Sequence, residues 1–197
     1  LDVQMATLAN QGMNYLATGK NPTRLGNGHP NIVPYQTFAS SDGSIILAVG
    51  NDNQFAKFCQ VIGKPELAQS PLFATNSQRV THRSDLVPLI ASELASKSTA
   101  YWIDILEKVA VPCGPVNTLE QVFSHPQIKH RKMVRQVPDW DDNMVNTVAS
   151  PINLSDTPIQ YHSAPPELGQ HTQKILMGDL NMPQERYNQL IDQGVIG

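Results

Sequence analysis

The chain has 197 residues, a formal net charge of −3 and only 16% charged residues. This length is enough for one large domain or two small ones. Because the charge is mildly acidic and unclustered, it does not support nucleic acid as the main partner, and no apolar run is long enough to predict a membrane-spanning helix. Two cysteines without CxxC spacing exclude a disulfide framework, so a reducing, cytoplasmic setting is expected.

The predicted elements begin with one helix, which Gly19 ends. Since the chain starts with Leu1 and shows neither an N-cap nor a signal-peptide pattern, we expect it to be part of a longer protein. Three prolines and two glycines between Lys20 and Pro34 exclude regular structure and mark a candidate functional loop. Tyr35–Phe38 and Ile45–Val49 then predict a hairpin.

Three amphipathic helices are predicted after the hairpin. Gly50-Asn51-Asp52 caps the first, Ser84 caps the second after a polar stretch, and Ser98 or Thr99 caps the third. Their apolar positions, expected in the core, are Phe55, Phe58, Cys59, Ile62, Leu86, Leu89, Ile90, Leu94, Trp102, Ile105, Leu106 and Val109.

The remaining predicted elements are short. A capping box at Thr118 opens a helix that His125-Pro126 stops, and the proline-rich stretch 149–169 is a linker. The other elements are an extended segment at Val111–Val116, strands at Met133–Val137 and Met144–Val148, and helices at Thr172–Asp179 and Pro183–Gln193.

These elements predict a domain organisation. Residues 34–150 form a small, self-contained α+β domain. Residues 1–33 are a helix and linker, and residues 151–197 are a linker and a helix pair, so both ends are expected to belong to another domain.

The glycine-rich segment that ends in Asn31 is the first candidate site. Gly26 and Gly28 allow a backbone to approach a ligand closely, and Arg24 can meet an anion. The segment is neither a dinucleotide-binding fingerprint nor a phosphate-binding Walker loop. A plain linker is the alternative interpretation.

Other residues carry weaker hypotheses. Cys113 with His125 or His130 suggests a nucleophile and base, but a packed, inert thiol is the favoured interpretation. Neither the six histidines nor the carboxylates at 139, 141 and 142 have the spacing of a zinc or calcium site, so no metal is expected. The helix start at Asn51 is a possible anion site or an ordinary N-cap. No complete catalytic set is evident.

Taken in order, these motifs resemble the class III CoA-transferases, the group of formyl-CoA, carnitine and glutarate CoA-transferases. The resemblance covers essentially the whole chain. Its motifs are Leu1-Asp2-Val3-Gln4, Asn14-Tyr15-Leu16, Gly26-Asn27-Gly28-His29-Pro30-Asn31-Ile32-Val33-Pro34-Tyr35-Gln36, Gly50-Asn51-Asp52, Thr75-Asn76, Arg79-Val80, Pro112-Cys113-Gly114-Pro115-Val116 and Pro165-Pro166-Glu167-Leu168-Gly169-Gln170-His171-Thr172.

The resemblance implies a fold and an assembly. The chain would be the C-terminal portion, in which the small α+β domain is inserted in a Rossmann-like α/β large domain that retains only helical elements here. Two subunits would interlock as a homodimer. Substrates would be a coenzyme A thioester and a small carboxylic acid, with no permanently bound cofactor and with no nucleic acid or membrane as partner.

The resemblance also implies a covalent mechanism, in which an aspartate forms an anhydride and then a CoA thioester. That aspartate would lie upstream of this chain, and Asp2 is not its counterpart. The loop that covers it would be Gly26, Asn27, Gly28, His29, Pro30, Asn31, Ile32 and Val33, which is closer to relatives acting on glutarate or succinate than to the formate enzyme. An acyl-CoA racemase of the same fold and a non-catalytic binding module are the alternatives.

Overall fold

The computed structural model describes residues 1–196. In chain order, the helices are α1 (Asp2–Ala6), α2 (Ala9–Thr18), α3 (Asp52–Val61), α4 (Pro65–Gln69), α5 (Asn76–Thr81), α6 (Arg83–Leu94), α7 (Thr99–Lys108), α8 (Leu119–Ser124), α9 (Pro126–His130) and α10 (Gln184–Asp192). The strands are β1 (Tyr35–Ala39), β2 (Ser44–Ala48), β3 (Cys113–Pro115), β4 (Val134–Pro138) and β5 (Met144–Val148), and a π-helical segment lies at Lys174–Asp179.

The chain divides into two compact units, Leu1–Val116 and Asn117–Gly197. The result is a mixed α/β chain. The domain boundaries expected after residues 33 and 150 stay a prediction. None of the helices within residues 1–196 is long and apolar enough to span a bilayer.

A three-stranded antiparallel sheet organises the first unit, in the order β1-β2-β3. The predicted hairpin is confirmed, with Phe38 opposite Ile45 across β1 and β2. The breaker-rich segment around Cys113 supplies the third strand, so that Gly114 pairs with Ile46.

The core of the first unit lies on one face of this sheet. Ile45 and Leu47 are fully buried, whereas Ile46 between them is 42% exposed, because successive side chains of a strand point to opposite faces. The buried cluster joins these strand residues to apolar side chains of α3, α6 and α7, namely Phe55, Phe58, Cys59, Leu86, Ile90, Leu94, Trp102 and Leu106. Of the predicted core positions, Leu89 is an error, since it is 48% exposed.

The structure corrects three predictions about where helices begin. The opening helix is two helices, α1 and α2, which a turn at Thr7 and Leu8 separates, and the first residue of α2, Ala9, has a φ of 46°. The polar stretch before residue 83 contains a helix, α5, that was not predicted. Because α5 ends at Thr81, α6 begins at Arg83 and Ser84 is not its cap. Gly19 does end α2, with a φ of 68°.

The second unit contains the β4–β5 hairpin, in which Val137 faces Val145. The capping box at Thr118 is confirmed. His125 ends α8 but does not stop helical structure, since it also caps α9 through Nδ1, which accepts from the backbone N–H of Gln127 at 3.1 Å. The helix predicted at Thr172–Asp179 is present over these residues, but it is π-helical from Lys174 to Asp179.

Candidate functional site: a clamped loop before the first strand

A turn at residues 25–28 shapes the start of the candidate loop. The backbone N–H of Gly28 donates to the Leu25 carbonyl at 3.0 Å, and Gly26 has a φ of +59°. A Cβ added at Gly28 would lie 3.1 Å from that carbonyl oxygen, which is a crowded contact. Asn27 then ties the turn to β1, since its Oδ1 accepts from the backbone N–H of Thr37 at 3.1 Å. The left-handed φ of Gly26 and the crowded position of Gly28 therefore both favour glycine in this turn.

His29 is held by three local contacts. Its backbone N–H donates to the Tyr35 carbonyl at 2.9 Å, and its ring stacks on the Tyr35 ring with centroids 5.1 Å apart and planes 8° apart. Its Nδ1 accepts from the backbone N–H of Asn31 at 3.1 Å. Because a ring nitrogen that accepts a hydrogen bond has no proton, a neutral His29 carries its proton on Nε2.

Arg83, at the start of α6, holds the backbone of His29 and Pro30. Its Nη2 donates to the His29 carbonyl at 2.9 Å and to the Pro30 carbonyl at 3.0 Å. One guanidinium nitrogen thus bridges two consecutive carbonyls of the loop. Because both carbonyl oxygens accept from the same nitrogen, the loop backbone is held in one conformation at this point.

Asn76, the first residue of α5, holds the next part of the loop. Its Nδ2 donates to the Asn31 carbonyl at 2.8 Å, and its Oδ1 accepts from the backbone N–H of Val33 at 3.2 Å. The side-chain amide therefore replaces a strand partner for this segment, since it pairs with both a carbonyl and an N–H. The Asn31 side chain is held separately by reciprocal amide contacts with Asn14 of α2, at 3.0 and 2.9 Å.

Arg79 completes the support from inside the core. It is the buried charged residue of the first unit, and its Nε donates to the Val33 carbonyl at 2.7 Å. Its remaining nitrogens donate to the Phe73 carbonyl at 2.9 Å and to Asp52 Oδ1 at 2.8 Å. The guanidinium carbon lies 4.3 Å from the centroid of the Phe55 ring, within cation–π distance.

Asn76, Arg79 and Arg83 together form what we call the loop clamp. The resemblance motifs included the first two, but sequence analysis did not predict that any of the three holds the loop. The spacing of three and four residues was the available signal, because it places the side chains on one side of a helical stretch. Because the helix α5 was not predicted, this spacing could not be interpreted as one side of a helix.

The other candidate residues have ordinary structural surroundings. Cys113 is half-buried in β3, and burial raises the pKa of its thiol above the ordinary value, which favours the inert interpretation. No group of three or more His, Cys, Asp or Glu side chains suited to a metal occurs among the described residues, 1–196. Asn51 is an ordinary N-cap, since its side chain accepts from Gln54, and Asp52 pairs with Arg79.

Two curated CoA-transferases are similar to this chain over most of its length. It is 41% identical over 176 residues to the succinate–glutarate CoA-transferase of Agrobacterium fabrum, covering 89% of this chain and 44% of that protein. It is 34% identical over 196 residues to the succinyl-CoA:glutarate CoA-transferase of Mus musculus, covering 100% of this chain and 45% of that protein. The chain therefore spans less than half the length of these curated relatives.

A solved structure and a family model give the same assignment. A CaiB/BaiF family protein from Brucella suis matches with a TM-score of 0.70 and 43% identity, over 87% of this chain and 44% of that one. The family model described as CoA-transferase family III matches residues 1–172. The ordered motifs, the fold and these matches agree: the chain belongs to CoA-transferase family III.

Proposed function

We propose that this chain is the part of an acyl-CoA:carboxylate CoA-transferase that carries the loop covering the reacting groups. The single observation that carries the proposal is the loop clamp, which fixes the backbone of His29–Val33 through side chains of α5 and α6. A segment that is already ordered loses little conformational freedom when a ligand binds, so it suits the wall of a substrate site. The names of the two relatives support the reaction class.

In the proposed reaction, an aspartate carboxylate attacks the thioester carbonyl, the C–S bond breaks, and CoA leaves as a thiolate. This step forms an acyl-aspartyl anhydride. The thiolate then attacks the aspartyl carbonyl, which releases the donor acid as a carboxylate and leaves an aspartyl-CoA thioester. Covalent catalysis of this kind divides one difficult exchange into easier steps.

The second half of the reaction reverses the first with a new acid. The acceptor carboxylate attacks the aspartyl-CoA thioester, so that CoA leaves again as a thiolate and a second anhydride forms. Attack of the thiolate on the acceptor carbonyl of that anhydride yields the new acyl-CoA and regenerates the aspartate. We assign this aspartate to a part of the protein outside residues 1–197, and Asp2 has no part in the step.

We propose short dicarboxylates such as glutarate and succinate as the acids. The support is the composition of the loop, in which His29, Pro30 and Asn31 follow Gly28, together with the names of the two relatives. Hydrogen-bond donors must surround each tetrahedral intermediate and each free carboxylate, and a loop fixed in position can supply them.

The proposal includes an assembly. In it, residues 34–150 are the small domain, and residues 1–33 and 151–197 belong to a Rossmann-like large domain. Two subunits interlock as a homodimer, and the loop of residues 26–33 lies over the aspartate. The substrates are the CoA thioester and the acid, with no permanently bound cofactor.

The test is an assay of the intact protein with succinyl-CoA and a panel of carboxylic acids, with acyl-CoA products separated by chromatography. We expect transfer to glutarate, slower transfer to formate, and no turnover by residues 1–197 alone. Turnover by that segment alone, or no transfer by the intact protein to any acid, would overturn the mechanism. Exchange of the α-hydrogen with deuterated water in the absence of an acceptor acid would instead indicate an acyl-CoA racemase.

A further inference from the structure

The imidazole of His29 has one ring nitrogen engaged and one available. Nδ1 accepts from the backbone of Asn31, whereas Nε2 makes no hydrogen bond to any part of the chain that the structure describes. The side chain is half-buried, so this nitrogen belongs to a ring that is partly removed from water. The free position is a donor, because the neutral ring carries its proton there.

Three independent contacts set the position of this ring. Stacking on Tyr35 fixes the plane of the ring, and the hydrogen bond from the Asn31 N–H to Nδ1 fixes the rotation of the ring about the Cβ–Cγ bond. Arg83 fixes the backbone itself through the carbonyls of His29 and Pro30. A donor with so little freedom is suited to recognising a ligand group by direction as well as by charge.

We infer that His29 determines specificity, by donating a hydrogen bond from Nε2 to the carboxylate of the acid substrate that does not react, and that Arg83 is the residue that positions it. This inference rests on the proposed function. A carboxylate only accepts hydrogen bonds, so it complements a ring nitrogen that can only donate. Such a charge-assisted hydrogen bond is stronger than one between neutral groups.

The test compares two acids that differ only at the far end. Glutarate has a second carboxylate, and pentanoate, of the same chain length, has a methyl group in its place. The quantity measured is the ratio of kcat/KM for glutarate to kcat/KM for pentanoate, in the intact protein with saturating succinyl-CoA. Any effect on the donor half of the reaction is common to both acids and cancels in this ratio.

Two substitutions separate the roles of the ring nitrogens. In His29→Gln the amide nitrogen reaches the Nε2 position, whereas in His29→Asn the amide reaches only the Nδ1 position. We expect His29→Asn to lower the ratio by about tenfold or more, the effect of losing one hydrogen bond to a charged group. His29→Gln should retain most of it. Equal ratios for the two variants, or an unchanged ratio in His29→Asn, would overturn the inference.

Arg83→Lys and Arg83→Met test the positioning role. Lysine can reach one carbonyl but not bridge two, so we expect Arg83→Lys to lower the ratio less than Arg83→Met, with pentanoate little affected by either. The matched surface control is Arg186→Met, since Arg186 is exposed and, within residues 1–196, its side chain donates a hydrogen bond only to Gln189.

The two levels of the proposal fail differently. A wild-type protein that transfers CoA to no acid would refute the proposed function. If the wild-type protein transfers CoA but both Arg83 variants have the same glutarate-to-pentanoate ratio as the wild type, the positioning role of Arg83 alone is refuted. A misfolded fraction lowers both kcat/KM values equally and therefore leaves their ratio unchanged. Thermal unfolding of every variant checks the fold independently.

Discussion

The guanidinium of Arg79 is completely buried, yet its Nη2 donates at 2.8 Å to the carboxylate of Asp52, whose side chain is 54% exposed. The remaining donors of Arg79 are directed to the carbonyls of Val33 and Phe73. One charged group therefore joins α3, α5 and the candidate loop. A buried charge is tolerated only where hydrogen bonds replace its hydration, and here every one of its nitrogens has a partner.

Arg79→Met is expected to destabilise the protein strongly. Methionine fills part of the volume, but the carbonyls of Val33 and Phe73 lose their donor inside the structure. Each buried carbonyl that is left without its donor costs about 1–3 kcal/mol, so we expect the free energy of unfolding to fall by about 2–5 kcal/mol. Urea unfolding followed by circular dichroism measures this quantity.

Asp52→Asn is the matched variant for the other end of the pair. The amide keeps an oxygen toward Arg79, and the carboxylate of Asp52 is half exposed, so the loss is expected to be about 1 kcal/mol. An equal loss in the two variants would contradict the conclusion that the carbonyl contacts of Arg79, more than its ion pair, hold the loop.

Some regular elements of the first unit, such as the β1–β2 hairpin and α3, could be predicted because local chemistry determines them. The β-rich run Ile45–Val49 predicts a strand, and Asn51 predicts the start of α3. Which face of the strand is buried does not follow from three consecutive apolar residues, and the structure shows that Ile45 and Leu47 face the core. The burial of Arg79 could not be predicted, since its carbonyl partner at Val33 is 46 residues away in the sequence.

The same distinction holds for the site. The irregular loop could be predicted from its glycines and prolines. In the structure Gly26 has a left-handed φ, and Gly28 lies close to the Leu25 carbonyl. The contact of Arg83 with His29 spans 54 residues, and α5 lies in a stretch without apolar periodicity. Helices that are held by polar contacts to a loop leave no amphipathic pattern to detect.

Trp102→Ala is expected to cost about 3–5 kcal/mol in the free energy of unfolding, the usual range for deletion of a large buried aromatic side chain. Trp102 is 4% exposed and its Nε1 donates to the Leu94 carbonyl at 2.8 Å. Trp102→Phe keeps most of the ring but leaves that carbonyl unpaired, so we expect a smaller loss of about 1–3 kcal/mol. Similar losses in the two variants would contradict the packing argument.

The two cysteines are expected to be poor nucleophiles. Burial raises the pKa of the Cys59 thiol to about 12, and burial also raises the pKa of Cys113. Since the thiolate is the reacting form, alkylation by iodoacetamide at pH 8 should be slow in the native protein and fast after unfolding. Cys113, which is half-buried, should react before Cys59.

Activity provides the second check on Cys113. Cys113→Ala in the intact protein is expected to keep CoA transfer close to the wild-type rate, because the thiol is not part of the proposed chemistry. Mass spectrometry of alkylated peptides gives the order of reaction, and the transfer assay gives the rate. Loss of transfer with retained folding would restore the nucleophile hypothesis.

Asp42 is expected to make stability depend on pH in the acid range. Its Oδ1 accepts from the backbone N–H of Thr99 at 2.8 Å, from the Thr99 hydroxyl at 3.0 Å and from Ser40 Oγ at 3.2 Å. The Thr99 backbone hydrogen bond is the main cause that holds the pKa of Asp42 below its ordinary value, and the partial desolvation of the carboxylate opposes it.

Because the pKa of Asp42 is lower in the folded than in the unfolded protein, its contribution to stability is present above the unfolded-state pKa of about 3.9 and is lost as pH falls through the folded-state value. Urea unfolding from pH 7 down to about pH 2 should therefore show a shallower acid dependence in Asp42→Asn than in the wild type, with the difference developing below the unfolded-state pKa of about 3.9. Thr99→Ala should keep most of the dependence, since the backbone N–H remains. Parallel curves for the wild type and Asp42→Asn would show that Asp42 is not responsible.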